Sequence, residues 1–166
     1  MHSKRTTFSA LAAGFIVGVS AWGTGVAAAQ PAPPIGGDGE ACLVNGDGTQ
    51  QCVGNRAQAE QLAAARGWSI IAIGTNKPNY KGKITVFPVR KGGCSPRTDD
   101  IDYSIPLRGS NGYKALSSMD KIEKYHCNYQ LVDKDGKKST WIDHDVARLG
   151  TIGKGWNNRA VRVRFT

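Results

Sequence analysis

From Tyr125 to Thr166 the chain reads as short alternating segments joined by tight turns. Thr140-Trp141-Ile142 alternates, and so does Ala160-Val161-Arg162-Val163-Arg164-Phe165. In the last segment Val161, Val163 and Phe165 share one face and Arg162 and Arg164 the other. This is the pattern of a strand with one buried and one wet side. Asp133-Lys134-Asp135-Gly136 makes a tight turn, and Gly150, Gly153 and Gly155 lie in a glycine-rich loop. Strand, turn, strand, loop, strand restricts this part of the chain to an all-β arrangement.

The same order occurs earlier. Ile70-Ile71-Ala72-Ile73 is a strand, Asn79-Tyr80-Lys81-Gly82-Lys83 a turn, and Ile84-Thr85-Val86-Phe87 a second strand. A long loop then leads to Ala115–Ile122. Aligning Gly82 with Gly136 sets Tyr80 opposite Lys134 and Thr75 opposite Tyr129. It also pairs Leu116-Ser117-Ser118-Met119 with Ala160-Val161-Arg162-Val163. Two copies of one supersecondary unit predict a two-repeat sandwich from Trp68 to Thr166.

These residues resemble the βγ-crystallin double Greek key. That family's motif is an aromatic, four residues, a second aromatic, one residue, then glycine, with a serine pair near the last strand. Tyr129 and Gly136 match in the second repeat, where Lys134 replaces the inner aromatic. Tyr80 and Gly82 match in the first, where Thr75 replaces the outer one. Ser117-Ser118 matches the serine pair, and Gly155-Trp156-Asn157-Asn158-Arg159-Ala160 is similar to the family's Trp-Asn-Asp turn. The resemblance implies a mainly β, Greek-key β-sandwich at 68–166. It also implies a half-built calcium site, since Asn157 and Asn158 supply the amide pair of one motif and Ser117 and Ser118 the hydroxyls of the other. Lys114, Arg159 and Arg162 oppose a cation there, so weak binding or none is expected, and no other cofactor.

Met1–Ala29 reads as a secretory signal peptide. Lys4-Arg5 forms the basic start, Phe8–Val19 the apolar run, and Ala27-Ala28-Ala29 the cleavage site. The apolar run is shorter than a bilayer span. The expected product is an exported, monomeric protein without a membrane span. Losing this leader removes two basic residues and no acid, so the formal charge falls from +9 to +7 over the 137 remaining residues. The basic residues are spread rather than blocked, which favours solubility charge over a dedicated polyanion site. Gln30–Glu40, with three prolines, reads as a flexible linker.

Cys42, Cys52, Cys94 and Cys127 all follow the leader, and an even count in an exported chain predicts two disulfides. Three connectivities are open. The turn-forming Asn45-Gly46-Asp47-Gly48 favours Cys42–Cys52, which leaves Cys94–Cys127 to tie the long loop to the second repeat. The wide spacings argue against zinc. Asn55–Arg66 is the expected helix, capped by Asn55 with Gln58 completing a capping box and Gly67 ending it. Its apolar stripe is thin, so it is expected to pack against one edge of the sheet. Together with the first disulfide loop it forms a segment at 41–67.

Gly92–Asn111 is rich in Gly, Pro, Asp and Ser and long enough to be a contact surface. Asp99, Asp100 and Asp102 cluster in it without the spacing of a calcium loop. His126 and His144 are the histidines after the leader, and His144 lies in Asp143-His144-Asp145. The two acids need not touch its ring. No nucleophile elbow, metalloprotease helix, phosphate loop or dinucleotide fingerprint occurs, so a non-catalytic protein is expected. The catalytic alternative is a small secreted nuclease using the basic charge and a histidine.

Chains of this plan are similar to the secreted actinobacterial metalloproteinase inhibitors. The resemblance implies a protein target, such as a secreted protease, engaged by a disulfide-braced loop. Gly93, Cys94, Ser95, Pro96 and Arg97 are the first choice for that loop, and Gly150–Asn158 the second. The alternative is a cationic protein or toxin that adheres to an anionic surface polymer.

Overall fold

The computed structural model describes residues 39–90, 92–95, 97, 99–107 and 116–166. The expected leader at 1–29, most of the linker and Pro96 of the expected binding loop lie outside the described residues.

Among the described residues eight strands form two sheets with one α-helix. They are β1 (Ala41–Val44), β2 (Gln50–Val53), β3 (Ser69–Lys77), β4 (Lys81–Val89), β5 (Tyr103–Pro106), β6 (Ser118–Lys121), β7 (Tyr129–Asp133) and β8 (Ala160–Phe165). Helix α1 spans Arg56–Ala65. One sheet has the order β2-β1-β4-β3-β6 and the other β5-β8-β7. The arrangement is mainly β and consistent with a β-sandwich. Among the described residues no helix is long and apolar enough to cross a membrane.

The helix lies across the face of the larger sheet rather than along its edge, which corrects the expectation from its thin stripe. Ala59 and Ala63 are buried with Ala41, Leu43, Ile73, Ile84 and Val86. Small side chains let the helix axis approach the sheet closely, so a thin stripe suits a face contact. Asn55 Oδ1 accepts from Gln58 N at 3.0 Å, as the capping pattern requires. Gln58 Oε1 reaches back one residue further than the usual box and accepts from Gly54 N at 2.9 Å. At the other end Gly67 takes φ +67. There Trp68 N bonds Ala63 O, and Gly67 N bonds Ala64 O.

With the helix on one side and the second sheet on the other, the larger sheet is buried on both faces. This explains the unbroken burial of Ala41–Val44 and Ile84–Val89. Ile84 and Val86 point toward the helix, whereas Phe87 and Val89 join the core between the sheets. A bulge between Ile70 and Ala72 sends Ile71 into the inter-sheet core and Ile73 to the helix side. Between the sheets the Phe87 and Phe165 rings meet at 5.5 Å. In β8 Val163 and Phe165 face this core, and Arg162 and Arg164 face outward, bonding Ser104 and Gln130.

The pairing is exchanged between the two halves of the chain. The β3–β4 hairpin receives β6 beside β3, but β5, which lies between them in sequence, pairs with β8. In return Val146, from the second half, bridges Met119 of β6. Thr140–Ile142, expected as a strand, is reduced to a single bridge from Ile142 to Tyr129. The β3–β4 turn holds Asn79 and Tyr80 at φ 58 and 57, a conformation costly for a bulky side chain. Partners from elsewhere secure it. Tyr80 N donates to Ser118 Oγ at 3.1 Å, and Asn79 N to Ala147 O at 2.6 Å.

Candidate functional site: a loop braced at Cys94–Cys127

Both expected disulfides are present. Cys42 and Cys52 face each other across β1 and β2, with Cα atoms 3.9 Å apart. Cys94–Cys127 spans 33 positions and fixes the start of the long loop to the segment before β7. Glu40, Cys42 and Cys52 are the described group close enough to hold a metal, but the two thiols are consumed by their own bond and Glu40 pairs with Lys83 at 2.8 Å.

Around Cys94 the loop is pinned by backbone and carboxylate contacts. Cys94 N donates to Tyr125 O at 3.2 Å, and the Tyr103 hydroxyl donates to Gly93 O at 3.3 Å. Gly93 sits so close to Tyr125 that an added Cβ would lie 2.5 Å from its carbonyl oxygen. Ser95 N donates to Asp102 Oδ2 at 2.8 Å, and Ser95 Oγ to Asp100 Oδ1 at 3.1 Å. Arg97 makes a forked pair with Asp99 at 3.1 and 2.9 Å. That contact lowers the carboxyl pKa of Asp99. Thr166 Oγ1 donates to Arg97 O at 2.6 Å, and Asp102 N to Phe165 O at 3.0 Å. The three aspartates therefore spend oxygens on the loop's own donors. The cluster that lacks calcium-loop spacing thus serves as the loop's internal brace.

Beside the brace Ile101 is 36% exposed, and it is the large apolar side chain in that position among the described residues. Sequence reading passed over it, because one isoleucine in a polar loop carries no period. An open cavity of about 350 Å³ adjoins the loop, with Asp102 and Tyr103 in its wall. It shares Gly46, Pro88 and Arg90 with a second of about 400 Å³ that reaches Trp68. The loop thus stands at the end of a shallow, extended depression.

The residues expected to hold calcium are only partly brought together. Ser117 Oγ donates toward Asn76 O at 3.0 Å and Asn158 Oδ1 at 3.1 Å. Ser118 Oγ turns to Thr75, Lys77 O and Tyr80 N, and Asn157 is exposed. Calcium takes six to eight oxygens, usually with several carboxylates. Here the Ser117, Ser118 and Asn158 oxygens are neutral and already hydrogen-bonded, and they work as a clamp between turns. The second-choice loop, Gly150–Asn158, is a 3-10 turn (Leu149–Thr151) followed by tight turns, with Trp156 buried beneath it.

Asp143 does reach the histidine beside it: its Oδ1 lies 2.9 Å from His144 Nδ1, with both side chains exposed. Neighbouring side chains on an irregular stretch need not diverge as they do on a regular strand. Among the described residues no hydroxyl or thiol bonds that ring. His126 stands exposed in the left-handed region at φ 52.

A different titratable pair joins a buried acid to an exposed one. Asp120, 8% exposed on β6, has the carboxyl of Asp145 as its neighbour. Burial first, and then the Asp145 charge, push the Asp120 pKa up to about 7. The same burial and charges raise the hydroxyl pKa of Tyr129, whose hydroxyl donates to His144 O at 3.3 Å. Asp145 also accepts from Lys121 N at 2.8 Å. No described cavity is lined by either acid.

Comparison of the chain with protein-family models, curated proteins and solved structures finds no match.

Proposed function

We propose that this chain is a secreted, non-catalytic binding protein of the peptidase-inhibitor kind. Its frame is a two-repeat Greek-key sandwich similar to the βγ-crystallins, preceded by a disulfide hairpin and helix. The exchange of β5 and Val146 between the halves supports the Greek-key reading. So does the serine clamp on the β3–β4 turn.

One observation carries the inhibitor reading. In the expected loop Gly93, Cys94, Ser95 and Arg97 are held by a disulfide and by side-chain bonds from Asp99, Asp100, Asp102, Tyr103 and Thr166. A loop already ordered before binding loses little entropy on entering a cleft, and it resists release after a cut. Ile101 supplies an apolar anchor next to it. Secreted metalloproteases are the target class that the family resemblance implies.

The test is an inhibition titration of the purified protein against secreted metallo- and serine proteases, with intact-mass analysis of each mixture. Stoichiometric loss of activity, with the chain uncut or cut once and retained, is the expected result. Steady digestion without inhibition across the panel would remove the reading.

A further inference from the structure

A second surface gathers cations that the sequence disperses. Lys137 and Lys138 follow the turn after β7, Lys154 lies in the turn after Leu149–Thr151, and Arg159 immediately precedes β8. The fold brings all four to the wall of one cavity of about 490 Å³. No acid lines it. Among the described residues, Lys137, Lys138 and Lys154 form no ion pair. A surface charged only for solubility intersperses both signs. Here like charges share one concavity, where field lines concentrate and an anion is attracted.

The cavity is also pre-shaped. Asp133, 5% exposed, accepts from Lys137 N at 2.8 Å and binds Arg159 Nη2 at 2.9 Å. One buried carboxylate thus anchors both walls while its own charge is used by Arg159. The Arg159 guanidinium lies 5.0 Å over the Trp156 ring, which is itself only 5% exposed. That geometry leaves no open aromatic face on which a nucleobase can stack, a contact that single-strand nucleic-acid sites rely on. The lysine ammonium groups remain as mobile point charges that suit phosphate or sulfate rather than planar carboxylate recognition.

The geometry points to a binding site for a compact, multivalent, non-aromatic oxyanion, such as phosphate groups carried on a polymer, at Lys137, Lys138, Lys154 and Arg159. The site shares no lining residue with the depression beside the Cys94 loop. It is therefore independent of the reading that places inhibition at the Cys94 loop, though Lys154 belongs to the second-choice loop Gly150–Asn158.

Calorimetric titration with sodium tripolyphosphate tests it, at salt concentrations of about 50 and about 200 mM. The parent protein binds one equivalent, several-fold more weakly at the higher salt. The variant K137A/K138A/K154A, built on exposed side chains, loses roughly tenfold or more in affinity. A control variant, K77A/K81A/K124A, removes the same charge elsewhere and stays within about twofold. A ten-residue deoxythymidine oligomer binds more weakly than tripolyphosphate. Equal losses in the two triple variants would reduce the effect to net charge and overturn the site. Absence of tripolyphosphate binding at the lower salt would overturn it as well. An oligomer that binds as tightly as tripolyphosphate and is lost with the first triple variant would reassign the cavity to nucleic acid.

Discussion

The backbone N–H of Ser95 donates to the Asp102 carboxylate at 2.8 Å, so a side chain seven positions away closes the loop that Cys94 anchors. Removing that acceptor while leaving the disulfide separates covalent from hydrogen-bonded bracing. Asp102→Ala leaves the Ser95 amide without its partner. Its hydrogen exchange should rise at least about tenfold, while β3 and β4 amides keep their protection. Inhibition, where the parent shows it, should weaken with the loop. Unchanged exchange at Ser95 would show that the disulfide alone orders it.

The two disulfides close chains of different length, 33 and 10 positions. In the loop-entropy picture the longer one stabilises by roughly 4 kcal/mol and the shorter by roughly 3 kcal/mol. Replacing Cys94 and Cys127 together by Ser should therefore cost more than replacing Cys42 and Cys52, by about 1 kcal/mol in urea unfolding. The reverse order would mean that the β1–β2 hairpin matters more to the folded state than loop length allows.

Much of this fold is legible in the residues, and the reasons differ by element. The strand at Ala160–Phe165 shows itself because one of its faces is wet. Helix α1 shows itself through Asn55, Gln58 and Gly67, which act locally. The even cysteine count predicts two disulfides, and the turn between Cys42 and Cys52 favours the pairing found without excluding the other two. Three features escape because they depend on distant partners. Ile84–Phe87 reads as a strand, but burial on both faces leaves no alternation to show what covers it, and the covering helix offers only Ala59, Ala63 and the partly buried Leu62. Thr140–Ile142 has strand composition but gains only one bridge. The cationic cavity unites lysines about seventeen positions apart in sequence with an arginine, so no window along the chain contains it. The Asp99, Asp100 and Asp102 cluster was visible, but its role depends on Ser95 and Arg97 folding back onto it.

Ser118 is fully buried, accepts from Tyr80 N and donates to Lys77 O, with Thr75 as a further partner. Its hydroxyl holds a turn whose Asn79 and Tyr80 backbones are unfavourable in isolation. Ser118→Ala leaves the Tyr80 amide unpaired and should destabilise by about 1–3 kcal/mol. Ser117→Ala keeps that support, since Ser117 bonds Asn76 O and Asn158 instead, and should cost less. Calcium at millimolar concentration should leave the melting temperature of all three proteins unchanged, because the clamp oxygens are neutral and occupied. A calcium-dependent rise in the parent that vanishes in Ser117→Ala would restore the ion site.

Asp120 and Asp145 give the protein a pH dependence opposite in sign to that of an ordinary salt-bridged acid. The folded-state pKa of Asp120 is about 7, against an unperturbed value near 3.9. Between these values the folded chain holds a proton that the unfolded chain releases, so stability falls as pH rises through that window and levels off above it. Across the window the loss should be roughly 1–2 kcal/mol once solvent screening through the exposed Asp145 is counted. Asp133 acts in the other direction. Burial alone would raise its pKa, but the bonds from Arg159, Lys137 N and Asp135 N hold it below the ordinary range. Its contribution is present above the unfolded pKa and is lost as pH falls through the lowered folded value, in stronger acid than the Asp120 window. Asp120→Asn removes the repulsion while leaving an amide that can donate to Asp145. The variant should melt higher than the parent at pH 8, match it near pH 4, and show a flatter profile between. Parallel profiles for the two proteins from pH 4 to pH 8 would mean that Asp120 does not hold the shared proton.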